Sequence, residues 1–63
     1  MSNITLHRKR KPSALRIGEQ LADGSTVTWI HECRNGVFVI GVKIREHHDV
    51  LIRLADEQIE VAK

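Results

Sequence analysis

The residues of this chain that could do chemistry are four histidines, one cysteine and a dense run of bases. His31 and Cys33 sit two residues apart and would share one face of a strand. The adjacent His47 and His48 would point to opposite faces. A closed zinc site needs four ligands at recognisable spacings, and a Cys–His nucleophile needs a third group to orient it. The pattern supplies neither, so we expect no metal, no cofactor and no enzymatic activity.

The basic run "RKRK" at residues 8–11 gives the chain its strongest asymmetry of charge. Residues 1–16 hold five bases and no acid, whereas residues 17–63 hold five bases and eight acids. This imbalance indicates an anionic partner, and guanidinium groups match both phosphate and the guanine edge. Trp29 and Phe38 are the only large aromatic side chains, which disfavours base recognition by an aromatic sheet. A solvated, disordered arm is the alternative interpretation of the same residues.

The middle of the chain predicts antiparallel β-structure. Residues 26–33, "TVTWIHEC", are rich in β-branched side chains. Asn-Gly within residues 34–36 is a strong hairpin signal, because both residues tolerate positive φ. Residues 37–44, "VFVIGVKI", are almost continuously apolar, which predicts a strand buried on both faces, with a bulge or a close backbone approach at Gly41. Residues 49–54, "DVLIRL", alternate as a third strand.

The two ends of the chain are less regular. Residues 4–8, "ITLHR", and residues 14–18, "ALRIG", each suit a short strand, and Pro12 separates them. Residues 21–24, "LADG", indicate a turn. The tail switches to helix formers and predicts a helix from about residue 55. The expected fold is mainly β, with four to five short antiparallel strands and a short C-terminal helix.

The length of 63 residues allows one domain with a small core. Chains of this size often need a disulfide, a metal or a second copy to be stable. Cys33 is the only cysteine and cannot form an intrachain disulfide, so a homodimer is the expected solution. A lone thiol, no secretory signal and no apolar run near 20 residues indicate a cytoplasmic protein without a membrane partner. The sequence contains no phosphate-binding glycine motif, and we therefore expect no small-molecule substrate.

The order of the short motifs resembles the CsrA/RsmA family of small bacterial post-transcriptional regulators. "RIGEQL", "TVT", "RNG", "VIGV" and "VLIR" follow one another as in that family, and the likeness covers most of residues 13–61. Two registers are open at the front. One makes residues 1–12 a basic N-terminal arm and "SALRI" the first strand; the other makes "ITLHRK" the first strand. Residues 13–63 then form the small CsrA-like β domain.

The resemblance implies an interleaved homodimer, in which the first strand of one chain lies beside the last strand of the other. It implies regulation of translation or message stability by binding GGA-containing loops of mRNA leaders or regulatory small RNAs. Together with the basic run, it predicts seven RNA-binding residues: Leu6, Arg8, Lys9, Arg10, Arg16, Ile52 and Arg53. Two alternatives remain open, a β module that binds a protein along a strand edge and a DNA-binding β-ribbon dimer.

Overall fold

The computed structural model describes residues 8–62, which form a mainly β structure of five strands. The strands are β1 (Arg8–Arg10), β2 (Thr26–Glu32), β3 (Val37–Ile44), β4 (His47–Leu54) and β5 (Ile59–Val61). Strands β2, β3 and β4 form an antiparallel three-stranded sheet in chain order, and β1 pairs antiparallel with β5. The three strands predicted in the middle of the sequence are confirmed.

The hairpin between β2 and β3 has the backbone that Asn-Gly predicts. Asn35 has φ 65° and Gly36 has φ 72°, a region that Asn and Gly enter at least cost. The Cys33 N–H donates to the Val37 carbonyl at 2.7 Å and closes the loop. This turn fixes the register of the sheet, with Glu32 opposite Phe38.

Gly41 has the close approach that the sequence predicts. It lies opposite Trp29, next to a register shift in β2 between Val27 and Trp29. A Cβ at Gly41 would overlap the indole of Trp29. The glycine therefore leaves room for the indole against the backbone of β3.

Alternating side chains give the three-stranded sheet two faces. Six side chains form the face directed into the molecule, which we call the inner face: Val27, Ile30, Phe38, Ile40, Val42 and Leu51. Leu15 and Leu21, together with Ile59 and Val61 of β5, pack against them and complete the buried core. Ile40 and Val61 have no exposed surface.

Six other side chains form what we call the outer face: Trp29, Val37, Val39, Val50, Ile52 and Leu54. Trp29 is 42% exposed, Ile52 62% and Leu54 51%. The expectation that residues 37–44 are buried on both sides is confirmed only in part, because Val37 and Val39 are half-buried on the outer face and Lys43 and Ile44 are exposed. Nothing within residues 8–62 covers the outer face, because the rest of the described chain packs on the inner one.

The segment between β1 and β2 joins the two sheets. Leu21 forms an isolated bridge with Val61 of β5, and the Val27 N–H of β2 donates to the Glu19 carbonyl at 2.8 Å. Residues 12–14 form a single 3-10 turn. "SALRI" accordingly forms no strand, since its Leu15 enters the core as part of an extended connection, and the first described strand is built from the basic run.

The helix expected from about residue 55 is also wrong, because Ile59–Val61 form strand β5. Ile59 and Val61 are buried and Glu60 between them is exposed, which is the period of a strand. Pairing on both sides stabilises this choice: β1 lies along one edge of β5 and residues 20–22 along the other. Tertiary pairing therefore overrides a helix preference that is weak in so short a segment.

Candidate functional site

The basic run is held in place by strand pairing. In β1, Arg8 lies opposite Val61, Lys9 opposite Glu60 and Arg10 opposite Ile59. Arg8 and Lys9 are exposed. The pairing therefore holds the backbone that carries these charges beside β5. In an unpaired arm, the positions of the charges would vary.

Lys9 and Arg53 line the same cleft, although 44 positions separate them in the chain. The cleft has a volume of about 440 Å³ and lies between β4 on one side and β1, β5 and the 21–23 turn on the other. Its apolar lining comes from Leu21, Leu51 and Ile59. Two predicted RNA-binding residues therefore line one cleft, together with these apolar side chains.

Arg53 lines the cleft because its side chain points to the inner side of the sheet, whereas its exposed neighbours Ile52 and Leu54 point to the outer side. It pairs with Phe38 of the inner face and is half-buried. One guanidinium nitrogen, Nη1, donates to the carbonyl of Ile52 at 2.8 Å. That bond uses one of the five N–H donors of the group, so the others remain available to a ligand.

Two carboxylates balance the cations of the cleft. Asp23 and Glu60 both line it, and Glu60 is the cross-strand partner of Lys9. Hydrogen bonds from the Ser25 hydroxyl at 2.6 Å and the Ser25 N–H at 2.9 Å lower the pKa of Asp23. The carboxylate of Asp23 is therefore ionised at neutral pH. Cations paired with acceptors suit a ligand that carries both phosphate and base amino groups better than phosphate alone.

Arg10 is occupied by an ion pair. Its Nε donates to Glu19 Oε2 at 2.6 Å, and Glu19 Oε1 accepts from the backbone N–H of Arg16 at 3.2 Å. Glu19 therefore links β1 to the turn at residues 16–19. Arg10 contributes to this junction, while the side chain of Arg16 is exposed.

The predicted site residues divide between the two sides of the molecule. Ile52 lies on the outer face and Arg53 on the inner one, because neighbouring residues of a strand point in opposite directions. Leu6 lies outside the described residues. Asp23, Gln58 and Glu60 also line the cleft and are not among the residues predicted from the sequence. The alternation of Ile59–Val61 is a signal for a strand, but it does not identify the basic run as the partner of that strand.

The histidines and the cysteine form no metal site within the described part of the chain: no three His, Cys, Asp or Glu side chains there are grouped to hold an ion. No helix in residues 8–62 is long and apolar enough to cross a membrane. Comparisons with protein-family models, with curated proteins and with solved structures gave no match.

Proposed function

We propose that this chain is an RNA-binding regulator of the CsrA type, acting in the cytoplasm on the translation or stability of bacterial messages. The observation that supports the proposal best is the cleft in which Lys9 of β1 and Arg53 of β4 lie together. Arg8 and Arg16 are exposed on the same basic stretch and extend the positive surface. A structured cleft, in contrast to a loose cationic tail, can select a shape.

The proposed mechanism assigns the charges of the cleft to different parts of an RNA loop. Arg53 binds a phosphate or the O6 and N7 atoms of a guanine, for which its planar donors are suited. Lys9 contacts phosphate as a point charge. Glu60, the cross-strand partner of Lys9, accepts a hydrogen bond from a base amino group, whereas Asp23 is held by its bonds from Ser25. The apolar floor of Leu21, Leu51 and Ile59 supports an unstacked base, as single-stranded RNA recognition requires.

The strand pairing bears on the proposed homodimer. Within one chain, β1 and β5 already form the ladder that the resemblance implies between chains. Exchange of β1 between two copies would keep the same β1–β5 pairs and change the path of the chain just after β1, before Leu15 enters the core. Such exchange of an identical element is a low-cost route to a dimer. We propose the exchanged form as the assembly in which the protein works.

Exchange can be tested with cysteines at Lys9 and Glu60, which face each other in the ladder, in a Cys33→Ser background. Oxidation gives a covalent dimer on a non-reducing gel if the strands are exchanged. If they pair within one chain, oxidation gives a cross-linked monomer, and the exchanged assembly is excluded.

RNA binding is tested by titrating a fluorescent hairpin with a GGA loop, and the same hairpin with the loop changed to CCU. We expect tighter binding to GGA. Arg53→Gln should weaken it by about 10- to 100-fold, the effect of losing one specific contact. Lys9→Gln should reduce the slope of log affinity against log salt by about one.

The matched control is Arg45→Gln, which removes the same charge from the exposed turn between β3 and β4. It should leave the preference for GGA unchanged. If Arg45→Gln and Arg53→Gln lower the affinity for the hairpin equally, the binding is a non-specific attraction of charges. Preferential binding of duplex DNA, or no binding at low salt, would exclude the RNA-regulator proposal.

A further inference from the structure

The outer face is the largest feature of the molecule that the proposed function does not use. Val50 is 48% exposed, and it lies with Ile52 and Leu54 on alternate positions of β4. Trp29 and Val39 bring β2 and β3 into the same surface. A continuous apolar patch of this kind on a small protein marks an interaction site.

We propose that the outer face packs against the outer face of a second copy of the chain, forming a two-layered β-sandwich around a two-fold axis. The inference goes beyond RNA binding: it assigns a surface and a partner that the cleft does not need. In a two-fold contact the same patch serves both copies, and stacked sheets lie about 10 Å apart with their side chains interdigitated.

The area of the face fits this occupant. Strands of seven and eight residues give a sheet face of roughly 25 by 14 Å at the usual strand rise and spacing. Two such faces in contact cover about 700 Å² in total, below the roughly 1,000 Å² of a stable specific interface and in the range of weak, transient contacts. We therefore expect a reversible dimer whose population changes with protein concentration.

The charge of the face also favours a second copy over RNA. The central positions of the outer face are apolar apart from His31, which lies opposite Val39 on the outermost strand β2. Lys43 and His48 lie opposite each other at one end of the sheet. The basic residues that would hold RNA lie on β1 and in the cleft, on the other side of the sheet. A two-fold axis through the centre of the face can place the two cationic ends apart, and the apolar centres then meet.

The free edge of β4 is protected against pairing with a further strand, which favours contact through the face of the sheet. The Val50 N–H donates to Asp49 Oδ1 at 2.8 Å, and the Leu54 N–H donates to Glu57 Oε1 at 2.7 Å. The Ile52 carbonyl accepts from Arg53. Backbone groups that could pair with a further strand are thus already bonded to side chains, a common protection of edge strands. The sheet is blocked at this edge and open on its face.

Trp29 provides the readout, because it is the only tryptophan of the chain and lies in the proposed interface. Sedimentation and tryptophan emission are measured from about 1 µM to about 1 mM, the range in which a contact of modest affinity dissociates. We expect the mass to double with concentration and the emission to shift to the blue as Trp29 loses its water.

Val50→Glu places a carboxylate in the centre of the contact, where an unpaired charge is expensive. We expect it to weaken the dimer by at least about 100-fold and to leave the circular dichroism of the sheet unchanged. His47→Glu is the control: it adds the same side chain to the same strand, but on the other face, opposite Ile44. It should leave dimerisation unchanged. Leu54→Lys serves as a second disrupting variant should Val50→Glu fail to fold.

Several results would overturn the inference. One is a monomer at all concentrations with Trp29 in water. Another is an association whose concentration dependence is the same in Val50→Glu and Leu54→Lys as in the wild type, because a dimer made by strand exchange alone does not use this face. A blue shift seen only with the GGA hairpin, or only with vesicles of phosphatidylglycerol and phosphatidylcholine, would assign the face to RNA or to lipid. RNA affinity is measured on the same variants, so failure of the dimer and failure of RNA binding are separate outcomes.

Discussion

The two faces of the three-stranded sheet carry similar side chains and have opposite environments. Ile40 on the inner face is fully buried. Ile52 follows Leu51, the cross-strand partner of Ile40, and it is 62% exposed on the outer face. The inner face is covered by β5 and by the connection after β1. The rest of the described residues, 8–62, cover one side of the sheet and leave the other exposed. The second copy proposed above would cover that exposed side.

The largest difference between the faces should appear on truncation of an isoleucine. Ile40→Ala leaves a cavity in the core and should lower the free energy of unfolding by about 3 kcal/mol. Ile52→Ala should lower it by less than about 1 kcal/mol, as for most surface substitutions. Urea unfolding at the lowest usable protein concentration measures both, so that association contributes little. Equal losses would mean that the outer face is already covered in the isolated chain.

A second test adds an atom to the outer face. Gly41→Ala introduces a Cβ where the Trp29 indole lies, and the exposed indole can swing away from the sheet. We expect a loss of about 1 kcal/mol and stronger quenching of tryptophan emission by acrylamide. Val39→Ala, two residues away on the same face, should leave the quenching unchanged. Unaltered quenching in Gly41→Ala would show that the indole does not rest on this glycine.

The inner side differs from the outer face in having charges fixed by partners, and Glu19 is the clearest case. Glu19→Gln weakens the link to Arg10 and should cost about 0.5–1 kcal/mol, a range reduced for the partial exposure of the pair. The loss should shrink at high salt. Glu46→Gln in the exposed β3–β4 turn is the matched control and should be nearly neutral. A salt-independent loss would assign the effect to hydrogen bonding alone.

Sequence patterns predicted the parts of the fold that local chemistry decides. The Asn35–Gly36 turn, the three strands around it and the close approach at Gly41 all follow from residues near one another in the chain. Strand β5 could not be predicted from nearby residues, because its stability comes from pairing with β1 and with residues 20–22 on its two sides. Short segments that take their structure from distant partners carry too little pattern of their own.

The candidate site was predictable to a similar extent. The basic run and Arg53 stand out by charge, but the cleft that joins Lys9 to Arg53 depends on the β1–β5 ladder. Glu60 enters the site only because Ile59–Val61 form a strand. Ile52 was assigned to the site by its place in a motif, and strand alternation puts it on the other face. Contact between distant segments is the information that a residue pattern lacks.

The smallest effect concerns Asp23, whose charge lies in the cleft and whose hydrogen bonds hold the 21–24 turn. Both bonds from Ser25 favour the carboxylate and lower its pKa below the unfolded value, which is about 3.9. Its contribution to stability is therefore present above about pH 4 and is lost as the pH falls through the folded pKa. Asp23→Asn keeps an oxygen that can accept both bonds but removes the charge and its titration.

Two measurements follow for Asp23→Asn. The stability difference between wild type and variant, taken from urea unfolding, should narrow as the pH falls from about 6 to about 2.5, since protonation makes the wild-type side chain neutral too. At neutral pH the variant should bind the GGA hairpin about two- to fivefold more tightly, because one negative charge has left a cleft that receives phosphate. Asp56→Asn, outside the cleft lining, should give a smaller gain. Weaker binding by Asp23→Asn would contradict this expectation and would mean that Asp23, like Glu60 in the proposed mechanism, accepts a hydrogen bond from the bound base.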